Sequence, residues 1–255
     1  MDSEAITYLS GSNRYGNYCV PASSKHRVAA AAILAGRVYE PRTIGFMLAH
    51  CGAGDIVHAG TYFGDFLAAL GQGVQAQALI WAFEPNRENF YCATKTIELN
   101  GLQNVRLMNA ALGAESGTML LQVGGPGGSG FGGGSRLVRS QSPGAVCEEA
   151  KIVAVDETVP SDRQVSILQL DVEGSEQHAI AGALATIRRC MPIVVLEKLP
   201  RDEAWFQQNF LAFGYELRGR VHSNSVFAPH GIEVTLRRKR NRQQHAVLHS
   251  GDQGG

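Results

Sequence analysis

The sequence has no excess of charge of either sign. Its 23 Lys and Arg balance 23 Asp and Glu, so no global field draws the chain to nucleic acid or a membrane surface. It has no apolar run near the ~20 residues that span a bilayer, so no membrane partner is expected. Residues 1–10 lack a cationic start followed by an apolar core, so no signal peptide is expected. Cys-x-x-Cys is also missing. The five cysteines (Cys19, Cys51, Cys92, Cys147, Cys190) are scattered and odd in number, and read as reduced thiols in a cytoplasmic protein. What remains is a 255-residue chain with 44% hydrophobic residues, long enough for a full core in one large domain or two small ones.

Short apolar runs alternate with segments of helical spacing. Residues 1–24, rich in Ser, Asn, Gly and Tyr, show no periodicity and read as an extension that is disordered or folded over a site. Val28–Leu34 and Pro41–His50 are expected helices, the second with Pro41 in its first turn and Ile44, Met47 and Leu48 on one face. Strands are expected at 56–59, 78–83, 105–109, 118–123, 151–155, 165–170, 193–196, 217–221, 225–228 and 232–236. Further helices follow Gly64, run from Pro85 to Asn100-Gly101, run from a Ser175 N-cap to Pro192, and surround Trp205 and Phe210. Eight glycines among residues 124–134 exclude a regular element there. The alternation is that of an α/β fold with a mainly parallel sheet. Three segments follow: an extension with cap helices over 1–50, a main domain over 51–236, and a basic polar tail over 237–255.

In such sheets ligands bind beyond the carboxyl ends of the strands. Those ends carry Gly60, Glu84, Asn109, Asp171 and Glu197: a glycine turn, an amide and three carboxylates at one edge. Glu84 falls where an acidic group accepts hydrogen bonds from both ribose hydroxyls of a nucleoside cofactor. The turn Gly60-Thr61-Tyr62-Phe63-Gly64 lacks the Gly-x-Gly-x-x-Gly pattern and sets two aromatics where pyrophosphate oxygens would nest. A cofactor without phosphates is expected.

These residues resemble the FkbM-type S-adenosylmethionine-dependent methyltransferases, over roughly residues 39 to 197. The resemblance is carried by Ala59-Gly60-Thr61-Tyr62-Phe63-Gly64, by Phe83-Glu84-Pro85 and the helix ending Leu99-Asn100-Gly101, by Asn109-Ala110-Ala111-Leu112-Gly113, by Leu170-Asp171-Val172-Glu173-Gly174-Ser175-Glu176, and by the strand ending Leu196-Glu197. It implies a class I methyltransferase (Rossmann-like) fold: a seven-stranded, mainly parallel sheet whose last strand is antiparallel, with helices on both faces and an N-terminal helical extension. It implies S-adenosyl-L-methionine as cofactor, and methyl transfer to a hydroxyl oxygen of a sugar or polyketide-like small molecule. Position by position, Gly60 and Gly64, with Thr61, Tyr62 and Phe63 between them, would pass the methionine part. Glu84 would hold the ribose, Asn109 and Ala110 would flank the adenine, and Asp171 would lie beside the transferring methyl. The family usually has Asp at the position of His58, Asn at that of Tyr62, and Lys at that of Gln169.

An alcohol acceptor benefits from a base, and Asp171 or Glu173, with Glu197, is the expected one. Glu173 also reads as a favourable charge at a helix start. The three carboxylates are hard oxygen ligands, but no local spacing demands a cation and no metal is assigned. His58 admits two readings, a satisfied core histidine or a contact to the methionine end of the cofactor. His222 is either a loop residue or a base on the acceptor side. Tyr39, Glu40 and Thr43 either start a helix or close over the methionine end. The glycine run is either a flexible connection or a gate. It lacks the Gly-Lys-Ser/Thr ending of a phosphate loop. Arg237, Arg238, Lys239, Arg240 and Arg242 form a basic run without aromatics, a solvated tail or a weak case for nucleic acid. The expected activity is small-molecule O-methylation, with a homo-oligomer left open. The rivals are a nicotinamide-dependent oxidoreductase, a non-catalytic cofactor-binding protein and an RNA methyltransferase.

Overall fold

The computed structural model describes residues 6–126 and 130–236. The chain opens with an antiparallel hairpin, β1 (Tyr8–Asn13) and β2 (Gly16–Pro21), followed by α1 (Val28–Leu34) and α2 (Pro41–His50). Then come β3 (Asp55–Ala59), α3 (Leu67–Gly73), β4 (Ile80–Phe83), α4 (Arg87–Leu99) and β5 (Val105–Met108). Four strands follow: β6 (Ala111–Leu112), β7 (Gly117–Gly124), β8 (Arg136–Val138) and β9 (Val146–Val153). The chain closes with α5 (Val155–Thr158), β10 (Val165–Leu170), α6 (Glu176–Ala181), α7 (Leu184–Cys190), β11 (Ile193–Leu196), α8 (Glu203–Asn209), β12 (Tyr215–Val221) and β13 (Asn224–Pro229).

The main sheet has seven strands in the order β12-β13-β11-β10-β3-β4-β5. It is a mixed sheet, in which β13 runs against the other strands. β11, β10, β3, β4 and β5 pair in parallel, whereas β13 runs antiparallel to both β11 and β12. All five residues of β3 and all four of β4 and β11 are buried, as two-sided cover of a central parallel strand requires. Strand alternation splits the core in two. Val57, Ala59, Phe83, Leu168, Leu170 and Val194 pack with Ile180, Ile187, Phe206 and Phe210 on one face. Ile56, Ile80, Ala82, Ile167 and Val195 pack with Ile44, Met47, Leu67 and Leu70 on the other. Pro41 occupies the first turn of α2, and the Asn86 side chain caps α4 by accepting the Asn89 N–H at 3.0 Å.

Strand order reverses between β3 and β10. The chain builds outward from β3 through β4 to β5, then returns to β10 and builds the other way. This is the topological switch point, and the crevice beyond it is where such sheets bind ligands.

Five expectations are corrected. Residues 1–24 are not an irregular extension leading straight into helices. Residues 8–21 form the β1–β2 hairpin, in which Tyr18, Cys19 and Val20 are buried. Residues 118–123 and 151–153 are strands as expected but lie in a separate four-stranded sheet, β6-β9-β7-β8, and β9 runs from Val146 to Val153. The single helix from Ser175 to Pro192 is two, α6 and α7, broken at Gly182-Ala183. A methyl on Gly182 would lie 2.0 Å from the Gly113 carbonyl oxygen, so close packing sets glycine there. Ser175 precedes α6 but its side chain makes no cap hydrogen bond. Residues 232–236 form no strand. The basic run at 237–242 and residues 127–129 of the glycine run lie outside the described residues. Among the described residues no helix is long and apolar enough to cross a membrane.

Candidate functional site

Two adjoining clefts lie beyond the carboxyl ends of β3 and β10 and share Gly60, Gly133 and Asp171. The first, of about 450 Å³, is flanked by Phe83, Pro85, Ala110, Leu112, Leu121 and Leu137, with Glu84 at its side. The second, of about 750 Å³, is polar, with Glu40, His58, Asp65, Asp171, Glu173 and Glu197 among its lining. An apolar slot therefore opens into an acidic chamber.

Gly60 sits where they meet. Its φ is +81°, and its N–H donates to the Phe83 carbonyl at 3.1 Å, holding the turn against β4. Three further N–H groups of the turn are also paired. Thr61 N–H donates to Phe83 O at 3.2 Å, Tyr62 N–H to Glu84 Oε2 at 2.7 Å, and Gly64 N–H to Thr61 O at 2.9 Å.

Glu84 is buried, and its Oε1 also accepts from Asn86 N–H at 3.0 Å and from the Asn89 side chain at 3.3 Å. Burial pushes its carboxyl up to about 8, against those three hydrogen bonds, which favour the charged form.

Asp171, Glu173 and Glu197, from the ends of β10 and β11, offer oxygen atoms within 4.8 Å of one another. Burial, then the neighbouring Glu197 and Glu173 carboxylates, holds the Asp171 carboxyl well above its usual range. Lys198 pairs with Glu173, and its ammonium lies 3.4 Å from Glu197 Oε2. Asp65, buried and near Glu40, is raised to about 7. His58 goes the other way: burial lowers it to about 4, although the bond between its Nδ1 and Gln169 Oε1 favours the charged form.

Two distant segments meet on Tyr62 beside the chamber. Ser24 Oγ lies 2.6 Å from the Tyr62 hydroxyl, and Asn89 donates to Gly132 O at 3.1 Å. A methyl on Gly132 would meet the Tyr62 hydroxyl at 2.7 Å and Ser24 Cβ at 2.8 Å, so the glycine loop lies directly on Tyr62 and Ser24. Arg27, between β2 and α1, also lines the chamber.

Of the residues singled out from sequence, Glu40, His58, Gly60, Tyr62, Glu84, Ala110, Asp171, Glu173 and Glu197 line the clefts. Others support them from behind. Thr43 is buried and donates to Glu40 Oε2 at 2.7 Å, Thr61 donates to the His58 carbonyl at 3.1 Å, and Asn109 donates to the Glu84 and Pro85 carbonyls. Phe63 is core, edge-on to Tyr18, and Gly64 faces Thr96. His222 is not brought into either cleft. Its Nε2 accepts the Arg42 N–H at the start of α2, at 3.2 Å. Sequence reasoning passed over Arg27 and Asp65. Asp65 follows Gly64 directly and could have been noted as an acid at a helix entrance, whereas no local pattern marks Arg27.

A family model described as the methyltransferase FkbM domain matches residues 50–239. Among solved structures, the chain is similar to the methyltransferase FkbM of Methylobacillus flagellatus KT, at 16% identity and TM-score 0.48, over 69% of this chain and 43% of that one. It thus spans less than half the length of that relative. A methyltransferase from Geobacter sulfurreducens gives 12% identity and TM-score 0.45 over 75% and 78%. M. jannaschii TYW2, solved in complex with AdoMet, gives 11% and 0.43 over 89% of each chain. No curated protein matches the sequence.

Proposed function

Because the chain belongs to the FkbM methyltransferase family, we propose that it methylates a hydroxyl oxygen of a small molecule, of sugar or polyketide-like character. The cofactor is S-adenosylmethionine. The residues present suit it. The apolar slot suits an adenine ring and the buried Glu84 suits ribose hydroxyls, while the acidic chamber suits a sulfonium cation.

The observation that carries the reading is the cluster of Asp171, Glu173 and Glu197 at the mouth shared with Gly60. When bound, S-adenosylmethionine supplies a methyl group activated by positive sulfur. Asp171 is assigned to take the acceptor hydroxyl proton as the new oxygen–methyl bond forms. Burial, then the neighbouring Glu197 and Glu173 carboxylates, raise its affinity for that proton. Lys198 offsets the charge on Glu173, which keeps three carboxylates compatible in one chamber. Tyr62, held by Ser24, and Gly133 and Gly134 line one side of the chamber.

The nicotinamide rival loses support from the turn itself. The N–H groups of Gly60, Thr61, Tyr62 and Gly64 are already paired, leaving none of the four to hold a pyrophosphate. The five free cysteines support a cytoplasmic location. Thermal unfolding tests the cofactor reading: S-adenosylhomocysteine at a hundredfold its Kd stabilises by roughly 2.7 kcal/mol, and NADH does not. Turnover of hydroxylated acceptors then tests the reaction. A shift with NADH alone would overturn the proposal.

A further inference from the structure

Among the described residues, the lining of the acidic chamber includes two buried nitrogen atoms without hydrogen-bond partners, of opposite character. His58 is 2% exposed and its ring stacks on Phe66, with centroids 5.4 Å apart and planes 5° from parallel. Its Nδ1 is bound to the carbonyl oxygen of the Gln169 side chain, so Nδ1 carries the hydrogen. Its Nε2 is then a bare lone pair, and it has no partner. Arg27 Nε is also buried and unpartnered. The Arg27 guanidinium stands over Phe131 at 5.9 Å and touches Gly130 O only at 3.5 Å. Arg27 is the only Arg or Lys among the described residues lining this chamber.

A neutral acceptor and a forked cationic donor facing one space are the complement of a zwitterion. An α-ammonium has N–H groups to give, and an α-carboxylate takes two parallel bonds from a guanidinium. Resting on the S-adenosylmethionine reading of the site, we infer that His58 and Arg27 form a two-point clamp on the amino-acid end of the cofactor. His58 Nε2 accepts from the ammonium, and the Arg27 guanidinium holds the carboxylate. Gln169 is a positioning residue that fixes the imidazole tautomer.

The charge around the clamp favours this occupant over an anionic acceptor. Glu40, Asp65, Asp171, Glu173 and Glu197 would repel a lone anion. The cofactor brings two positive centres with its one carboxylate. A neutral imidazole also takes the ammonium without adding a sixth carboxylate to the chamber. The inference places an N-terminal residue, ahead of the strand–turn–helix, in direct contact with the cofactor.

Calorimetry with two ligands tests it. S-adenosylhomocysteine carries the amino-acid end and methylthioadenosine lacks it. Arg27→Met and His58→Phe should each weaken S-adenosylhomocysteine by roughly tenfold or more, and leave methylthioadenosine within about twofold. Methylthioadenosine binding also reports that each variant is folded. Arg27→Lys, which keeps the charge but not the fork, should fall between wild type and Arg27→Met. Unchanged S-adenosylhomocysteine affinity, or equal loss for both ligands, overturns the clamp while leaving the cofactor reading in place. Failure of the wild-type chain to bind either ligand overturns both.

Discussion

Gly60 and Asp171 are pressed together at the switch point. A methyl group on Gly60 would lie 1.8 Å from the Asp171 carbonyl oxygen, while Asp171 N–H donates to Ala59 O at 3.1 Å. The turn that passes the cofactor and the residue assigned as base are therefore one rigid unit. Gly60→Ala must part the ends of β3 and β10, at a φ of +81° that alanine resists. It should cost about 2–4 kcal/mol in denaturant unfolding and abolish S-adenosylhomocysteine binding. Wild-type stability in this variant would contradict the packing described.

Asp171→Asn separates proton transfer from binding. The amide keeps the shape of the side chain but cannot accept the acceptor's proton. Turnover should fall by about 10²–10⁴-fold, with S-adenosylhomocysteine affinity changed by less than about threefold. Full turnover with unchanged affinity would remove Asp171 from the base role.

His58 makes a pH prediction with a definite sign. Its ring titrates near 4 in the folded chain, against 6.5 when unfolded. Between those values the unfolded chain binds more protons, so the contribution of His58 is complete above pH 6.5 and is lost as the pH falls toward 4. The stability difference between wild type and His58→Phe should shift by about 3 kcal/mol in favour of the variant from pH 7 to pH 4. A difference that stays flat over this range would show that the imidazole is not buried neutral.

Two glycines of the glycine run give a contrasting pair. A methyl on Gly132 meets Tyr62 and Ser24 below 3 Å at a φ of +54°, whereas one on Gly134 meets only Glu173 Oε1, at 3.9 Å. Gly132→Ala should weaken S-adenosylhomocysteine by roughly tenfold by displacing the loop, and Gly134→Ala should stay within about twofold. Equal behaviour of the two variants would mean that the loop does not bear on the site.

Elements that obey a strong local rule were legible in the sequence. β10 and β11 are short apolar runs covered on both faces, and the structure gives them the bounds 165–170 and 193–196 that the sequence predicts. α2 announces itself through Pro41, and the strand-end acids follow from strand alternation. β1 was not legible because its residues are exposed or half-exposed throughout, leaving no alternation to detect. β6 and β8, of two and three residues, are too short to have a period. The break between α6 and α7 depends on Gly182 meeting Gly113, a contact 69 positions apart that periodicity cannot register. The same limit hid Arg27. Glu84 and Asp171 are found by asking where strands end, but Arg27 reaches the chamber through tertiary packing alone.

The hairpin and the turn after it are fastened to α4 and its C-terminal cap at several points: Asn17 N–H and Cys19 N–H bond the Asn100 and Thr96 side chains at 3.0 and 3.1 Å, and Ser23 bonds Glu88 at 2.5 Å. A fragment trimmed to residues 50–239 would keep every strand of the seven-stranded sheet, and Glu84, Asp171, Glu173 and Glu197 with it. It would lose Ser24 and Arg27, leaving the Tyr62 hydroxyl without its partner and one wall of the chamber missing. It would also lose Glu40 and nearly all of α2, whose Ile44 and Met47 pack on one face of the sheet, so the N-terminal residues serve scaffold and chamber together. Substitutions confined to Ser24 and Arg27 would therefore alter the surroundings of the chamber while leaving the strands of the main sheet in place.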